Sequence, residues 1–310
     1  MNSTNLVEKG SPVIGILAPS APSEASRLAK GLKYIESLGW RTKVMLDPSS
    51  AYGTDKFLFS SDTPLNRAQA IKALLEDDEV GVIWCTRGAY GSMEILPYLP
   101  VEEIKRYRKP IVGFSDVTAL LIAFDNLGVP AIHGTSIEYG AANAVNNTEH
   151  ERSVSEILSF LSSSQLASTA TTDLSFICGS STKASLKGSI VGGNLSLLSS
   201  LMGTPWEFRA EGKFLFFEEV GESPYRIHRM LLQMKLGGKL KNLQGVLIGH
   251  LTNCVHSKGL GPNLEQALVD IFKDASYPVF KGVKSGHEPL NLPIFLGHSV
   301  TLEDEKLRYN

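Results

Sequence analysis

The chain has 310 residues, 43% apolar and 20% charged, with a formal net charge of −2 at pH 7. That size and balance describe a globular protein of one large domain or two ordinary ones. They give no electrostatic reason to expect nucleic acid or an anionic membrane as partner, and no basic, aromatic-interleaved stretch supplies one. The first ten residues are polar and lack the charged-then-apolar order of a signal peptide. No apolar run approaches the roughly 20 residues needed to cross a bilayer. Three widely spaced cysteines, Cys85, Cys178 and Cys254, form no C-x-x-C pair, so a reducing, cytoplasmic setting is expected rather than a disulfide framework.

In chain order, the apolar run 13–17 reads as a strand, closed by the turn Ala18-Pro19-Ser20-Ala21-Pro22. Apolar residues at helical spacing over 26–38 stop at Gly39. A strand follows at 41–46, a helix at 65–75, strands at 80–85 and 109–113, and a strongly apolar helix at 116–127 closed by Gly128. Strands alternating with helices predict an α/β fold with a parallel sheet flanked by helices on both faces. Between about 148 and 187 the composition shifts, with Ser and Thr crowding 162–168 and 179–182 and little apolar periodicity after Leu166; the stretch reads as the connection to a second domain. The expected division is 1–165, a linker at 166–187, and a strand-rich C-terminal domain at 188–310. In that last part strands are expected at 189–191, 214–218, 245–248, 278–282 and 300–302, with helices at 195–201, 225–236 and 263–272.

The sharpest feature for chemistry is Gly113-Phe114-Ser115-Asp116, where an apolar strand ends and Ser115 stands on the abrupt turn into a helix. Such a turn lifts a hydroxyl above the sheet edge, with N–H groups of the new helix aimed at whatever it attacks. The plain alternative is a helix N-cap. A serine nucleophile needs a base. Among seven histidines, His133 follows an apolar run, His150 lies in a polar loop, His228 sits in a helix among charges and His298 reads as a turn residue. His287 stands apart in a loop directly after a strand, where reactive groups are commonly presented. A carboxylate to orient it is offered by Phe214-Leu215-Phe216-Phe217-Glu218-Glu219, of which alternation lets only one glutamate face a given cleft. The glycine-rich turn Arg87-Gly88-Ala89-Tyr90-Gly91 fits no phosphate-loop pattern; its glycines would admit close backbone approach and a free N–H. His250, Cys254 and His256 lie near one another but lack zinc spacing and a fourth ligand, so neither metal nor cofactor is expected.

Taken together, these segments resemble the LD-carboxypeptidase family of serine peptidases, which includes the microcin-immunity proteins. The resemblance rests on Ile16-Leu17-Ala18-Pro19-Ser20, the Arg87–Gly91 turn, Gly113-Phe114-Ser115-Asp116 and Gly192-Gly193-Asn194-Leu195. It continues through Phe217-Glu218-Glu219-Val220-Gly221-Glu222, Pro224-Tyr225-Arg226-Ile227 and Gly286-His287 with Asn291-Leu292-Pro293. It implies a flavodoxin-like N-terminal domain, a strand-rich C-terminal one and an active site between them. By motif it puts the nucleophile on Ser115, the histidine on His287 and the acid on Glu218. The oxyanion hole falls on the N–H of Asp116 and one from Gly88 or Ala89, and a homodimer is the family expectation. Two departures stand out: Ala89 replaces a second glycine, and His228 replaces an acid in a helix, leaving a local salt bridge in question.

The function expected is a metal-free serine carboxypeptidase that removes a terminal D-amino acid from an L-centre in a cell-wall tetrapeptide. Arg87 and Arg226 are candidates to grip the terminal carboxylate bidentately, with Tyr90 in the same turn as a further substrate contact. One alternative is a microcin-immunity-like peptidase acting on a peptidyl-nucleotide, for which Trp84 or Trp206 would supply an aromatic platform. A second is a non-catalytic peptide-binding protein, against which the joint presence of Ser, Glu and His argues.

Overall fold

Five short segments of the first half become strands: β1 (Val13–Leu17), β2 (Arg41–Val44), β3 (Val80–Cys85), β4 (Ile111–Gly113) and β5 (Ala131–His133); all but the edge strand β2 are mainly apolar and buried. The computed structural model describes residues 13–45, 59–163, 174–180, 185–255 and 261–310. The chain divides into two units, Met1–Ala167 with Pro289–Phe295, and Ser168–Glu288 with Leu296–Asn310.

In the first unit the sheet order is β2-β1-β3-β4-β5, every one of these pairs parallel. That order is the flavodoxin-like one, and its switch point lies between β1 and β3. Because the strands run parallel, the loops after β1, β3, β4 and β5 share one sheet edge, and Ser20, Arg87 and Ser115 follow directly there. Helices Ala25–Ser37, Pro64–Glu76 and Thr118–Asn126 supply the crossovers. The first stops at Gly39, whose φ of 87° suits a residue without Cβ. The helix Thr118–Asn126 is buried from Thr118 through Phe124, as a helix apolar on all sides must be. It forms a rigid backing to the turn that precedes it.

The second sheet contains β6 (Ser175–Gly179), β7 (Leu186–Asn194), β8 (Phe214–Val220), β9 (Gly245–Thr252), β10 (Pro278–Lys281), β12 (Ser299–Glu303) and β13 (Lys306–Tyr309), in the order β13-β12-β7-β8-β9-β10-β6. Its centre, β7 to β10, is parallel, and the outer strands pair antiparallel. Helices Leu195–Leu201, Pro224–Leu236 and Leu264–Phe272 make the crossovers, so this half repeats the strand–helix alternation of the first.

Three expectations are corrected. Residues 148–163 form a helix, Thr148–Ser163, with Val154, Ile157, Leu158 and Leu161 buried at helical spacing; the serines just beyond it obscure that period. His150 therefore lies buried on this helix, edge-on to the Tyr139 ring at 5.1 Å, and not in a polar loop. Within the expected linker, Ser175–Gly179 is an edge strand on β10. Residues 289–295 return to the first unit. There β11 (Ile294–Leu296) takes the edge beside β5, Phe295 packs on Phe160 at 4.3 Å, and Asn291 N–H donates to the buried Ser153 Oγ at 2.8 Å. Three consecutive buried apolar residues, Ile294, Phe295 and Leu296, drive that return.

Candidate active site

In the first unit, Ser115 is half-buried at the end of β4, where the chain turns through a single 3₁₀ turn into the helix Thr118–Asn126. Its φ is 60°, a left-handed conformation that L residues avoid. The next residue holds it there. Asp116 is buried, and its Oδ2 accepts from Ser20 Oγ at 2.6 Å and from Ser92 N–H at 2.8 Å. Ser92 Oγ in turn donates to the Asp116 carbonyl. One carboxylate thus ties the loops after β1, β3 and β4 together. A second tie is the fully buried Arg67, whose guanidinium donates to the carbonyls of Pro19, Asp62 and Gly91 and pairs with Glu94.

Gly88 lies directly against Ser115. A Cβ added there would stand 3.1 Å from Ser115 Oγ and 3.2 Å from Asp116 N, so glycine keeps open the space in front of both atoms. Ala89, the departure from a second glycine, does adopt positive φ, 84°. An alanine there is strained by about 1 kcal/mol relative to glycine. Arg87 is 37% exposed and lies 3.9 Å from Glu138 Oε2, and Tyr90 is exposed beside Phe59.

In the second unit, His287 Nδ1 and Glu218 Oε2 are 2.6 Å apart. Both glutamates of the pair are buried within β8 rather than emerging at its end. Between the pairs Phe217–Ile248 and Glu219–Leu251, β9 runs one residue longer than β8, a bulge of the kind that re-aims side chains. Glu218 fills a slot walled by glycine: a Cβ on Gly249 or Gly286 would meet the Glu218 Cβ at 3.1 Å, and Gly286 sits at φ 136°. Glu219 is directed elsewhere. It accepts from Asn194 Nδ2, Ser196 N–H, Ser196 Oγ and its neighbour Val220 N–H, so it serves the start of the helix Leu195–Leu201. Burial nonetheless lifts the Glu219 carboxyl above its ordinary range, against the pull of those donors. For His287, burial favours the neutral ring, but the Glu218 hydrogen bond and the charges of Glu218, Glu219 and Glu288 outweigh it, and the pKa is raised. With Nδ1 held by the carboxylate, Nε2 is the nitrogen left to take a proton.

Other residues singled out in the sequence have different employment. Arg226 is exposed and engaged by Glu222 and the Tyr225 hydroxyl. His228 bonds Asp270 across two helices at 3.0 Å, which restores a local pair where an acid was missing. Trp84 is fully buried and donates to the Thr135 carbonyl, so it offers no platform to a base; Trp206 is half-buried. Among the described residues no cluster of three or more His, Cys, Asp or Glu is placed to hold a metal, and His256 lies outside them. No helix among them is long and apolar enough to cross a membrane. Arg67 and Glu138 escaped sequence reading: one looks like a surface charge on a helix, the other follows a short strand without any motif.

Residues 14–134 match the LD-carboxypeptidase N-terminal domain family and residues 187–302 the LD-carboxypeptidase C-terminal domain family. A probable murein peptide carboxypeptidase of Bacillus subtilis is 32% identical over 297 residues, covering 93% of this chain and 88% of its own. Among solved structures, the muramoyltetrapeptide carboxypeptidase from Oxalobacter formigenes superposes with a TM-score of 0.78 at 22% identity, covering 96% of this chain and 97% of that one. MccF in complex with glutamyl sulfamoyl guanosine gives 0.83 at 19% identity, covering 97% and 98%; at such identities the likeness concerns the fold.

The raised His287 value has a direct check. Titrated by NMR, with the resonance assigned by its loss in His287→Gln, the imidazole is expected to protonate with a midpoint above the ordinary 6.5. In Glu218→Gln, with burial left as the main influence, the midpoint moves below that value. A wild-type midpoint at or below 6.5 contradicts the pairing.

Proposed function

The chain belongs to the LD-carboxypeptidase family and is a carboxypeptidase, and on that premise we propose that it cleaves the amide between an L-configured residue and a terminal D-amino acid in peptidoglycan-derived tetrapeptides. Ser115 is the nucleophile, His287 the base and Glu218 the acid that orients it. What supports this reading is found within each unit by itself: in the first a half-buried serine held at positive φ on a strand-to-helix turn, in the second a histidine already bonded to a buried carboxylate.

His287 Nε2 takes the Ser115 proton as Oγ attacks the scissile carbonyl. The resulting oxyanion is met by the N–H of Asp116 and by one from the Gly88–Ala89 turn. Glu218 steadies the imidazolium, which then gives its proton to the leaving amine of the D-amino acid. Water, deprotonated by the same imidazole, releases the acyl group and restores Ser115. The space that Gly88 keeps open before Oγ and Asp116 N supports this assignment of the hole. The reaction is placed in the cytoplasm, where the three unpaired thiols stay reduced, and the working form is taken to be the homodimer.

Two substrates separate this reading from its nearest rival. Mass spectrometry of a muropeptide tetrapeptide is expected to show loss of one D-alanine with wild type and none with Ser115→Ala, while a peptidyl sulfamoyl nucleotide stays intact. Cleavage of the nucleotide conjugate alone would favour the immunity-type activity instead. Gly88→Ala, whose methyl crowds the oxyanion space, is expected to lower kcat/KM by about 100-fold, the usual effect of losing one oxyanion donor; unchanged turnover would remove the hole from this turn.

A further inference from the structure

Removing a terminal residue, rather than cutting anywhere along a peptide, requires a group that reads the terminal carboxylate. Arg87 is built for such a task. It follows β3 and precedes Gly88, the glycine packed on Ser115. A guanidinium carries five N–H donors, and among the described residues its polar contacts are made through Nη1, at 3.5 Å from the Pro22 carbonyl and 3.9 Å from Glu138 Oε2. The pair with Glu138 is long, and the arginine side chain is 37% exposed.

Its partner is the reverse. The Glu138 side chain is 5% exposed. Its own N–H donates to the carbonyl of Thr86, the residue before Arg87, at 3.0 Å. It sits in the π-helical turn Ile137–Ala141, a rare backbone form that is frequent at functional sites. Glu138 Oε2 also receives the Glu24 N–H at 3.5 Å, while Oε1 is buried without a hydrogen bond among the described residues. Burial pushes this carboxyl up, opposed by the Ser23 hydroxyl and the positive charge of Arg87. The neighbouring guanidinium favours the charged form of this carboxyl against its burial.

Resting on the reading of Ser115 as the nucleophile of a carboxypeptidase, we propose that Arg87 grips the substrate's terminal carboxylate through the guanidinium edge left open, and that Glu138 is the positioning residue that keeps the guanidinium beside the Ser115 turn. The chain is then specific for a free C-terminus, and Arg226, already engaged on its own helix, has no part in it.

The test compares a tetrapeptide bearing a free C-terminal acid with its C-terminal amide. Wild type is expected to favour the acid by about 100-fold in kcat/KM, the scale of a charge-assisted bidentate contact. Arg87→Ala brings the acid-to-amide ratio close to one, and Arg87→Lys recovers part of it. Arg87→Gln serves in place of the alanine variant should that one fail to fold, as judged by its melting transition. Glu138→Gln lowers the ratio to an intermediate value, chiefly through KM for the acid. Equal turnover of both peptides by wild type, or a ratio unmoved in the Arg87 variants, overturns the anchor while leaving the carboxypeptidase reading intact. A Glu138→Gln loss equal for both peptides overturns the positioning role. If wild type cuts neither peptide, the substrate reading itself fails and the anchor fails with it.

Discussion

The carboxylate of Asp116 holds the first unit's chemistry together. Ser115 at φ 60° carries a backbone penalty of about 1–2 kcal/mol, and an isolated strand-to-helix turn would relax out of it. Two hydrogen bonds to an ionised acceptor are worth about 1.5–3 kcal/mol each, so the bonds from Ser20 and Ser92 exceed the strain they oppose. The same two bonds fix where the loops after β1 and β3 stand relative to Ser115. Arg67, reaching three backbone carbonyls from beneath, makes that arrangement stiff. Strain held by its surroundings in this way is what presents a side chain out of a sheet edge.

The second unit solves a different problem by similar means. A carboxylate with no exposed surface is tolerable only with a strong partner, and the His287 ring is that partner at 2.6 Å. Two glycines, Gly249 and Gly286, leave the slot that lets Glu218 reach it. Directly beside it, Glu219 is consumed by four donors at the start of a helix, so two adjacent acids with the same burial have separate duties.

How much of this was legible beforehand follows the range of the interactions. The strand–turn–helix around Ser115 is local, and its glycine, its serine and the apolar run behind it are contiguous in the sequence. The parallel first sheet could be read for the same reason. The choice between Glu218 and Glu219 was not legible, because it depends on an extra residue in β9 and on glycines some 30 and 70 positions away. Strand alternation says the two acids face opposite ways, without saying which way is inward. Arg67 reads as one more helix charge, since its acceptors are backbone carbonyls that carry no side-chain signature. The helix Thr148–Ser163 was hidden by the serines at its end, and the return of 289–295 to the first sheet by its separation from the other strands.

Labelling the protein with a fluorophosphonate and locating the adduct by peptide mass spectrometry tests most directly whether the Ser115 hydroxyl is a nucleophile driven by His287. A single adduct on Ser115 is expected, formed at least about 100-fold more slowly in His287→Ala, as loss of a general base requires. An adduct on another residue, or labelling of Ser115 at the same rate without His287, would contradict it.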